Sequence, residues 1–266
     1  MAMARRNVRP GRHGRPTRPL IVQTEPDSPF AEAYRALRTN LQFLAADRPL
    51  GAIVVTSAGP EEGKTTVTAN LAAAMARAGD QVIIVGADMR KPTVHEVFGC
   101  SRDVGLTSVL TGHMDWQDAI QDTAVDGVRL LASGPIPPNP AELLGSERMH
   151  QLLIELREEA DMVLIDAPPV LNVADAAVLA RWVDGYLYVV SIGLTPREAV
   201  KEGKRRLDQV GARLLGTIVN RIDDRSASYA YYQYSYREDT ANGRMSWWQR
   251  WRRARSNGAA SGGRRT

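Results

Sequence analysis

The sequence predicts an α/β fold built on a doubly wound, mostly parallel sheet. Three observations lead to this prediction. Short apolar runs alternate with helical patterns, a glycine-rich loop joins the first run to an alanine-rich helix, and polar residues directly follow several runs. Helices that cover both faces of a parallel sheet produce this alternation. With 266 residues, 44% of them hydrophobic, the chain is long enough to bury one such core.

Six apolar runs are predicted as strands that are buried on both faces. They are Ile53–Val55, Val82–Val85, Val128–Leu131, Met162–Ile165, Gly185–Val190 and Leu214–Val219. The predicted helices are residues 29–45, 64–78, 103–111, 140–159, 173–181 and 196–210. The chain then divides into a basic N-terminal tail (1–27), a P-loop domain (28–225) and a C-terminal tail (226–266) that is first tyrosine-rich and then rich in Arg and Trp.

The first predicted helix begins with a recognisable N-terminal signal. Ser28 is suited to cap it, and Pro29 to occupy its first position. Glu32, Arg35 and Arg38 follow at intervals of three, which places them on one broad face. The bare pattern fits a solvated face with a weak Glu32–Arg35 pair. A second interpretation, a contact between subunits, depends on a family resemblance.

Residues 58–66 have the sequence of a phosphate-binding P-loop, placed between a strand and a helix. Gly63 lets the backbone approach the phosphates, and the N–H groups that start the helix point at the anion. Lys64 is expected to neutralise the β- and γ-phosphates of ATP, and the Thr65 hydroxyl to ligate Mg²⁺. Ala58 stands where the motif has its first glycine. The loop residues assigned to the nucleotide are Gly59, Pro60, Glu61, Glu62, Gly63, Lys64, Thr65 and Thr66.

Polar residues follow other strands at the same edge of the predicted sheet, where ligands of such folds bind. Asp88 and then Arg90 come after the second strand, Asp166 after the fourth, and Asn220 after the last. Two carboxylates that converge on the P-loop phosphates would hold Mg²⁺ and its waters, so Asp88, Asp166 and Thr65 are the predicted metal ligands. The alternative is that each Asp only caps the turn after its strand.

The net charge of +4 hides a segregation of charge. Residues 1–24 carry six Arg, residues 244–266 carry seven, and neither segment has an acidic residue. The remainder therefore holds 21 of the 34 basic residues against all 30 acidic ones, a net charge of −9, which argues against nucleic acid as a partner. Residues 247–255 combine Trp with Arg, which suits a surface of anionic lipid; stacking on nucleic acid and a plain solvated tail are the alternatives.

Cysteine usage and hydropathy favour a cytoplasmic location. Cys100 is the single cysteine, so it forms no internal disulfide, and it is expected to be a packed or loop thiol rather than a nucleophile. No apolar run approaches the roughly 20 residues that cross a bilayer. Any membrane contact is expected to be peripheral or through a partner.

A cluster of tyrosines follows the last predicted strand. Its members are Tyr229, Tyr231, Tyr232, Tyr234 and Tyr236, in a setting of Ser, Ala and Gln. The segment follows the last core strand and has the composition of an exposed tail. The alternative is an aromatic edge strand, since three of the five tyrosines would share one face of a strand. A role as phosphate acceptors, in which each phosphate would add roughly −1.5 to −2 charges, depends on a family resemblance.

In its motifs the chain resembles the bacterial tyrosine kinases of the BY type, which are associated with capsule and exopolysaccharide export. The resemblance spans about Ser28 to Tyr236. It rests on residues 28–41, the P-loop, Ala87-Asp88-Met89-Arg90-Lys91-Pro92, residues 134–144, Asp166-Ala167-Pro168-Pro169, Val219-Asn220-Arg221 and the tyrosine-rich C-terminus.

The resemblance implies an ATP- and Mg²⁺-dependent kinase that phosphorylates its C-terminal tyrosines in a neighbouring subunit. It assigns catalysis to Lys64, Asp88, Arg90 and Asp166, and adds Asn220 and Arg221 to the nucleotide site. The pattern Glu32, Arg35, Arg38 becomes the interface of a homo-oligomeric ring. A membrane adaptor of the polysaccharide co-polymerase type is implied as the activating partner, which places the kinase at the inner face of the membrane.

The family motif Asp-x-Asp-x-Arg departs here from its usual form, because its first Asp is Gly86. That Asp is the family's favoured group for contacting Mg²⁺ and accepting the tyrosine proton. The departure keeps open a second function, an ATP-binding scaffold or switch with weakened catalysis. A partition-type ATPase is less favoured, because Gly59 stands where that class has a signature lysine.

Overall fold

Seven strands form one sheet in the described part of the chain, residues 19–222 of a computed structural model. The strands are Ala52–Ser57 (β1), Val82–Gly86 (β2), Gln121–Asp122 (β3), Val128–Leu131 (β4), Met162–Asp166 (β5), Gly185–Ser191 (β6) and Leu214–Asn220 (β7). Their order is β3-β4-β2-β5-β1-β6-β7. Every pair is parallel except β3 with β4. The predicted fold class and all six predicted strands are confirmed.

Helices cover both faces of this sheet. They are Ile21–Thr24 (α1), Pro29–Asp47 (α2), Lys64–Ala76 (α3), Val94–Phe98 (α4), Leu106–Leu110 (α5), Trp116–Ala119 (α6), Pro140–Leu144 (α7), Glu147–Glu159 (α8), Asp175–Val178 (α9) and Arg197–Gln209 (α10), with a 3₁₀ turn at Leu179–Arg181. None of these helices combines the length and the apolar character that a bilayer crossing requires.

The core lies on the two faces of β1, β2 and β5, which are buried at every position. One apolar cluster contains Leu71 and Met75 of α3, and the other contains Leu153 and Leu156 of α8. Because these strands have no solvated face, their sequences are continuously apolar rather than alternating. The carboxyl ends of the three strands lie side by side, and the loops that follow them form the candidate site.

The long helix predicted at residues 140–159 is instead two helices, α7 and α8. The break falls at Gly145 and Ser146, where the Ser146 hydroxyl accepts a hydrogen bond from the Met149 N–H (3.3 Å) and donates one to the Leu143 carbonyl (2.7 Å). A new N-cap therefore starts α8. The predicted helix 103–111 shortens to α5, and 173–181 becomes α9 and the 3₁₀ turn. The sequence did not predict α1, α4, α6 or β3, each too short to show a period.

The folded unit begins inside the predicted basic tail. Leu20 and Val22 are buried in the apolar cluster that contains Leu71 and Met75 of α3. The Val22 N–H donates to Asn70 Oδ1 (3.3 Å), and Arg77 donates to the Val22 carbonyl (3.0 Å). Leu20 and Val22, which lie before the boundary predicted at residue 28, therefore pack on the folded domain. The other predicted boundary, at 225, lies outside the described residues.

Two local predictions can be compared directly with the structure. Ser28 caps α2 by accepting the Ala31 N–H at 3.2 Å, with Pro29 at the first helical position. Cys100 is partly buried, and burial raises the pKa of its thiol to about 11. A thiol with so high a pKa is a weak nucleophile, as expected of a packed cysteine.

Candidate nucleotide site

The P-loop joins β1 to α3, so its backbone turns directly into a helix N-terminus. Gly63 has a φ of 97°, a conformation that favours glycine, and a Cβ there would overlap the side-chain amide of Asn220. Lys64 is the first residue of α3 and is 7% exposed. The N–H groups at the start of α3 and the Lys64 ammonium thus create a site for an anion at the predicted position.

The shape of the loop is fixed by contacts within the loop and with the end of β7. The Glu62 carboxylate is buried, and its Oε1 accepts the Gly59 N–H at 2.5 Å. Asn220 donates from Nδ2 to the Glu62 carbonyl (2.9 Å), and Arg221 donates from Nη2 to the Glu61 carbonyl (2.7 Å). Glu61 and Arg221 each have a φ of 59°. Two residues predicted to bind the nucleotide, Asn220 and Arg221, therefore also hold the phosphate loop.

Asp166 ends β5 between β1 and β2 and faces the start of α3. Its Oδ2 accepts a hydrogen bond from the Thr65 hydroxyl at 2.7 Å. Its Oδ1 is buried and has no hydrogen-bond partner in residues 19–222. Burial raises the Asp166 pKa to about 6, although the Lys64 charge and the Thr65 hydrogen bond act in the opposite direction. A buried carboxylate with one unpaired oxygen would be stabilised by a cation at that oxygen.

A Mg²⁺ ion fits that requirement. The orphaned Asp166 Oδ1 and the Thr65 hydroxyl are oxygen ligands of the kind that Mg²⁺ takes. No three His, Cys, Asp or Glu side chains of the described segment cluster as a metal cage. Mg²⁺ in nucleotide sites usually keeps several waters and binds one or two carboxylates together with substrate phosphates, so a full protein cage is not needed.

Asp88 follows β2 and serves its own loop as well as the cleft. Its Oδ1 accepts the backbone N–H groups of Arg90 (3.2 Å) and Lys91 (2.9 Å), and its own N–H donates to the Asp166 carbonyl (2.9 Å). One oxygen of Asp88 therefore caps the turn after β2, as the alternative interpretation of this residue predicts. The Arg90 side chain forms a bidentate ion pair with Asp175, a contact that the sequence did not predict.

Gly86 lies opposite Asp166 in the register of β2 and β5. Because residues directly across a sheet project from the same face, a side chain at position 86 would point towards the α3 side, next to Asp166. The space is largely filled: a Cβ at Gly86 would lie 3.0 Å from Val94 Cγ1 and 3.1 Å from the Ser133 nitrogen. The position at which the family motif has a carboxylate is thus closely packed by neighbouring residues in this chain.

The residues after β1, β2, β5 and β7 enclose one cleft of about 880 Å³. Predicted site residues on its wall are Pro60, Glu61, Gly63, Lys64, Thr65, Thr66, Asp88, Arg90, Asn220 and Arg221. The sequence did not predict Thr93, whose hydroxyl lies 3.2 Å from that of Thr65, or Asn172 and Val173. None of these three residues belongs to a recognisable sequence motif. Each lies at the cleft because of the path that its loop takes in the folded chain.

The predicted interface residues Glu32, Arg35 and Arg38 do not line this cleft. On α2, Glu32 and Arg35 pair with each other, and Arg35 also donates to the Pro26 carbonyl at 2.8 Å. Arg38 donates to the Ala74 carbonyl of α3 in its own chain at 3.3 Å. Each of the three side chains therefore has a partner within the chain. The Glu32–Arg35 contact agrees with the first interpretation of this helix face, in which the two residues form an internal pair. The tyrosine cluster and the Arg/Trp segment lie outside the described residues.

The fold and the cleft define a protein of the P-loop NTPase fold class, and comparisons with known proteins refine this class. A family model described as AAA domain matches residues 53–194. Tyrosine-protein kinase YwqD of Bacillus subtilis is 43% identical over 226 residues, which cover 85% of this chain and 95% of that protein. The kinase domain of Escherichia coli tyrosine kinase ETK has a TM-score of 0.76 at 33% identity, covering 90% of this chain and 89% of that one.

A more distant neighbour carries a nucleotide. The septum site-determining protein MinD of Pyrococcus horikoshii, solved with Mg-ADP, has a TM-score of 0.55 at 26% identity and covers 67% of this chain and 76% of that one. Identity and coverage are both higher for the tyrosine kinases. The chain belongs to the family of bacterial tyrosine-protein kinases of the P-loop type.

Proposed function

We propose that this chain is an ATP- and Mg²⁺-dependent protein-tyrosine kinase that phosphorylates the C-terminal tyrosine cluster of a neighbouring copy. The observation that carries the proposal is the buried, cation-deficient Asp166 beside Thr65 and Lys64, at the start of α3. A phosphate-bound Mg²⁺ and its nucleotide satisfy all three groups together. Membership of the tyrosine-kinase family supports tyrosine as the acceptor.

Each residue has a chemical task in this proposal. The N-terminus of α3 and Lys64 would hold the β- and γ-phosphates, and Thr65, Asp166 and Asp88 would hold Mg²⁺. The ion, when bound, neutralises charge that develops on the transferred phosphoryl group. The Asp88 carboxylate, whose Oδ1 is engaged by its turn, has Oδ2 left to orient the tyrosine hydroxyl. Because the transition state is loose, positioning and charge outweigh the contribution of a strong base.

Incubation of the full chain with γ-labelled ATP and Mg²⁺, followed by phosphopeptide mapping, tests the proposal. We expect phosphotyrosine within residues 229–236, and none after replacement of the five cluster tyrosines by Phe. Transfer between copies is tested by mixing that Phe variant with Lys64→Met, because only the Lys64→Met tail can then be labelled, and only by its partner. Label confined to pure wild type would contradict transfer in trans.

The family resemblance extends the proposal to assembly and location. A homo-oligomeric ring would bring each tail to the next cleft, through the α2 face that carries Glu32, Arg35 and Arg38. For Arg38 this requires exchange of its contact with Ala74 for one across the interface. A membrane adaptor of the polysaccharide co-polymerase type would recruit the kinase to the inner membrane face, with the Arg/Trp segment on anionic lipid, and couple it to exopolysaccharide export.

A second function is favoured by one specific observation, the glycine at position 86. In that function the chain binds ATP and Mg²⁺ and changes assembly state without efficient phosphoryl transfer. Nucleotide binding with no phosphotyrosine, even when the membrane adaptor is present, would support this scaffold and contradict the kinase.

A further inference from the structure

The ion pair between Arg90 and Asp175 joins the loop after β2 to the helix that follows β5. Arg90 donates from Nε to Asp175 Oδ2 at 2.9 Å and from Nη2 to Oδ1 at 3.0 Å. The Asp175 side chain is fully buried, whereas that of Arg90 is 45% exposed. The pair therefore has one end inside the protein and one end at the surface.

This geometry fixes the orientation of a guanidinium group. Two parallel hydrogen bonds to one carboxylate define the plane of the Arg90 guanidinium as well as its position. The carboxylate itself is held in the interior at the first position of α9, so it cannot follow a moving side chain. A buried carboxylate also requires a counter-charge, which keeps Arg90 in place.

Arg90 also lines the nucleotide cleft, together with Lys64, Thr65 and Asp88. An Arg side chain has five N–H donors, and the fork to Asp175 uses two of them. The other three remain for an anion in the cleft. The anionic group expected on the β2 side of the cleft, beyond Lys64 and the metal ligands, is the terminal phosphate.

We propose that Asp175 is a positioning residue, which holds Arg90 so that its remaining N–H groups bind the γ-phosphate of ATP. The inference deepens the proposed function, on which it rests, by naming how the site distinguishes ATP from ADP. A purely structural ion pair, which only ties α9 to the β2 loop, would stabilise the fold without any effect on that distinction.

The test compares the affinities of the full chain for AMP-PNP·Mg²⁺ and ADP·Mg²⁺ by calorimetry, in wild type, Asp175→Asn, Arg90→Ala and the double variant. We expect each single variant to lower the preference for AMP-PNP by about 10-fold, the size of one charged hydrogen bond, with ADP affinity nearly unchanged. The double variant should lose no more of the preference for AMP-PNP than either single variant does, because Asp175 acts through Arg90. Unchanged preference in Asp175→Asn, or effects that multiply, would overturn the inference.

Two further variants control for folding. Arg90→Lys keeps the charge beside Asp175 but loses the fork, so it should also lose the preference for AMP-PNP at near-normal thermal stability; if it keeps the preference, the inference fails. Asp208→Asn breaks the exposed Lys204–Asp208 pair on α10 and should change neither affinity. These affinities need no phosphoryl transfer, so they test Asp175 even if wild type makes no phosphotyrosine, a result that would contradict the kinase proposal alone.

Discussion

The loops after β5 and β2 use their aspartates differently, although both strands are buried throughout and lie next to each other. Asp166 accepts a hydrogen bond from Thr65, and its second oxygen is buried with no partner in the described segment. Asp88 is partly exposed, and one of its oxygens orders the backbone of Arg90 and Lys91. Asp166 at the end of β5 therefore keeps one oxygen without a partner in the described segment, whereas Asp88 uses one oxygen to order its own loop.

The contrast separates two parts of a phosphoryl-transfer site. The groups for phosphate and metal, on the P-loop and β5, match the family pattern and are mutually supported by contacts. The β2 loop would face the acceptor hydroxyl, and there Gly86 replaces a carboxylate while Val94 and Ser133 fill the adjacent space. Nucleotide binding is thus expected to be strong, and the acceptor side to limit the rate.

The largest expected effect is on the phosphate side. Lys64→Met should lower phosphotyrosine formation by about 10³-fold, because it removes a buried positive charge that stabilises the transferred phosphoryl group. Labelling with γ-labelled ATP measures the loss. Lys91→Met, which removes a charge from the β2 side of the same cleft, is the matched control and should cost much less. Equal losses of activity in Lys64→Met and Lys91→Met would contradict the distinction between the phosphate side and the β2 side of the cleft.

The two aspartates provide the next test. Asp166→Asn should lower activity by about 10²-fold or more and weaken Mg²⁺ dependence, since it removes the charge that a buried cation requires. Asp88→Asn should cost about 10-fold, because an amide oxygen can still accept from the Arg90 and Lys91 N–H groups. Initial rates at graded Mg²⁺ concentrations measure both. A larger effect from Asp88 would reverse the assignment of the main metal ligand.

Much of this site could be predicted from the sequence because the parts concerned are local. The P-loop is contiguous, and Asp166 ends an apolar run, so each position follows from strand, loop and helix alone. Asp175 could not be predicted, because its partner Arg90 is 85 residues away and the pair forms only when two loops meet. The same limit applies to Asn220 as a support for Glu62, a contact across 158 residues.

Short elements escaped prediction for a different reason. Helix α4 has five residues, too few to show a helical period, yet it carries Val94 against Gly86. The sequence therefore revealed the missing carboxylate but not the packing that replaces it. The burial of Leu20 and Val22 was hidden in the same way, because the basic residues around them dominate the composition.

Restoration of the acid tests whether the β2 loop limits catalysis. Gly86→Asp should raise phosphotyrosine formation by up to about 10²-fold, as a positioned proton acceptor does. Since Val94 Cγ1 lies 3.0 Å from the added Cβ, the gain should be fullest in Gly86→Asp with Val94→Ala. Val94→Ala alone is the control and should not gain activity. Equal activity in wild type and the double variant would mean that another residue already fills the role.

The smallest expected effect is a fall in stability with rising pH that depends on Asp166. Burial raises the Asp166 pKa from 3.8 to about 6, so between these values the folded protein binds more protons than the unfolded chain. Stability without nucleotide should therefore fall as pH rises, by about 1 kcal/mol between pH 5 and pH 7. Mg²⁺·ADP should offset the loss, because it binds the carboxylate form, and its stabilising effect should grow over the same range. Thermal unfolding of wild type, Asp166→Asn and Asp88→Asn decides the matter. The fall in stability with rising pH should be lost in Asp166→Asn, where the lowered pKa of the partly buried His95 favours the opposite trend, and it should persist in Asp88→Asn. A fall that persists in both variants would show that Asp166 is not the group that titrates.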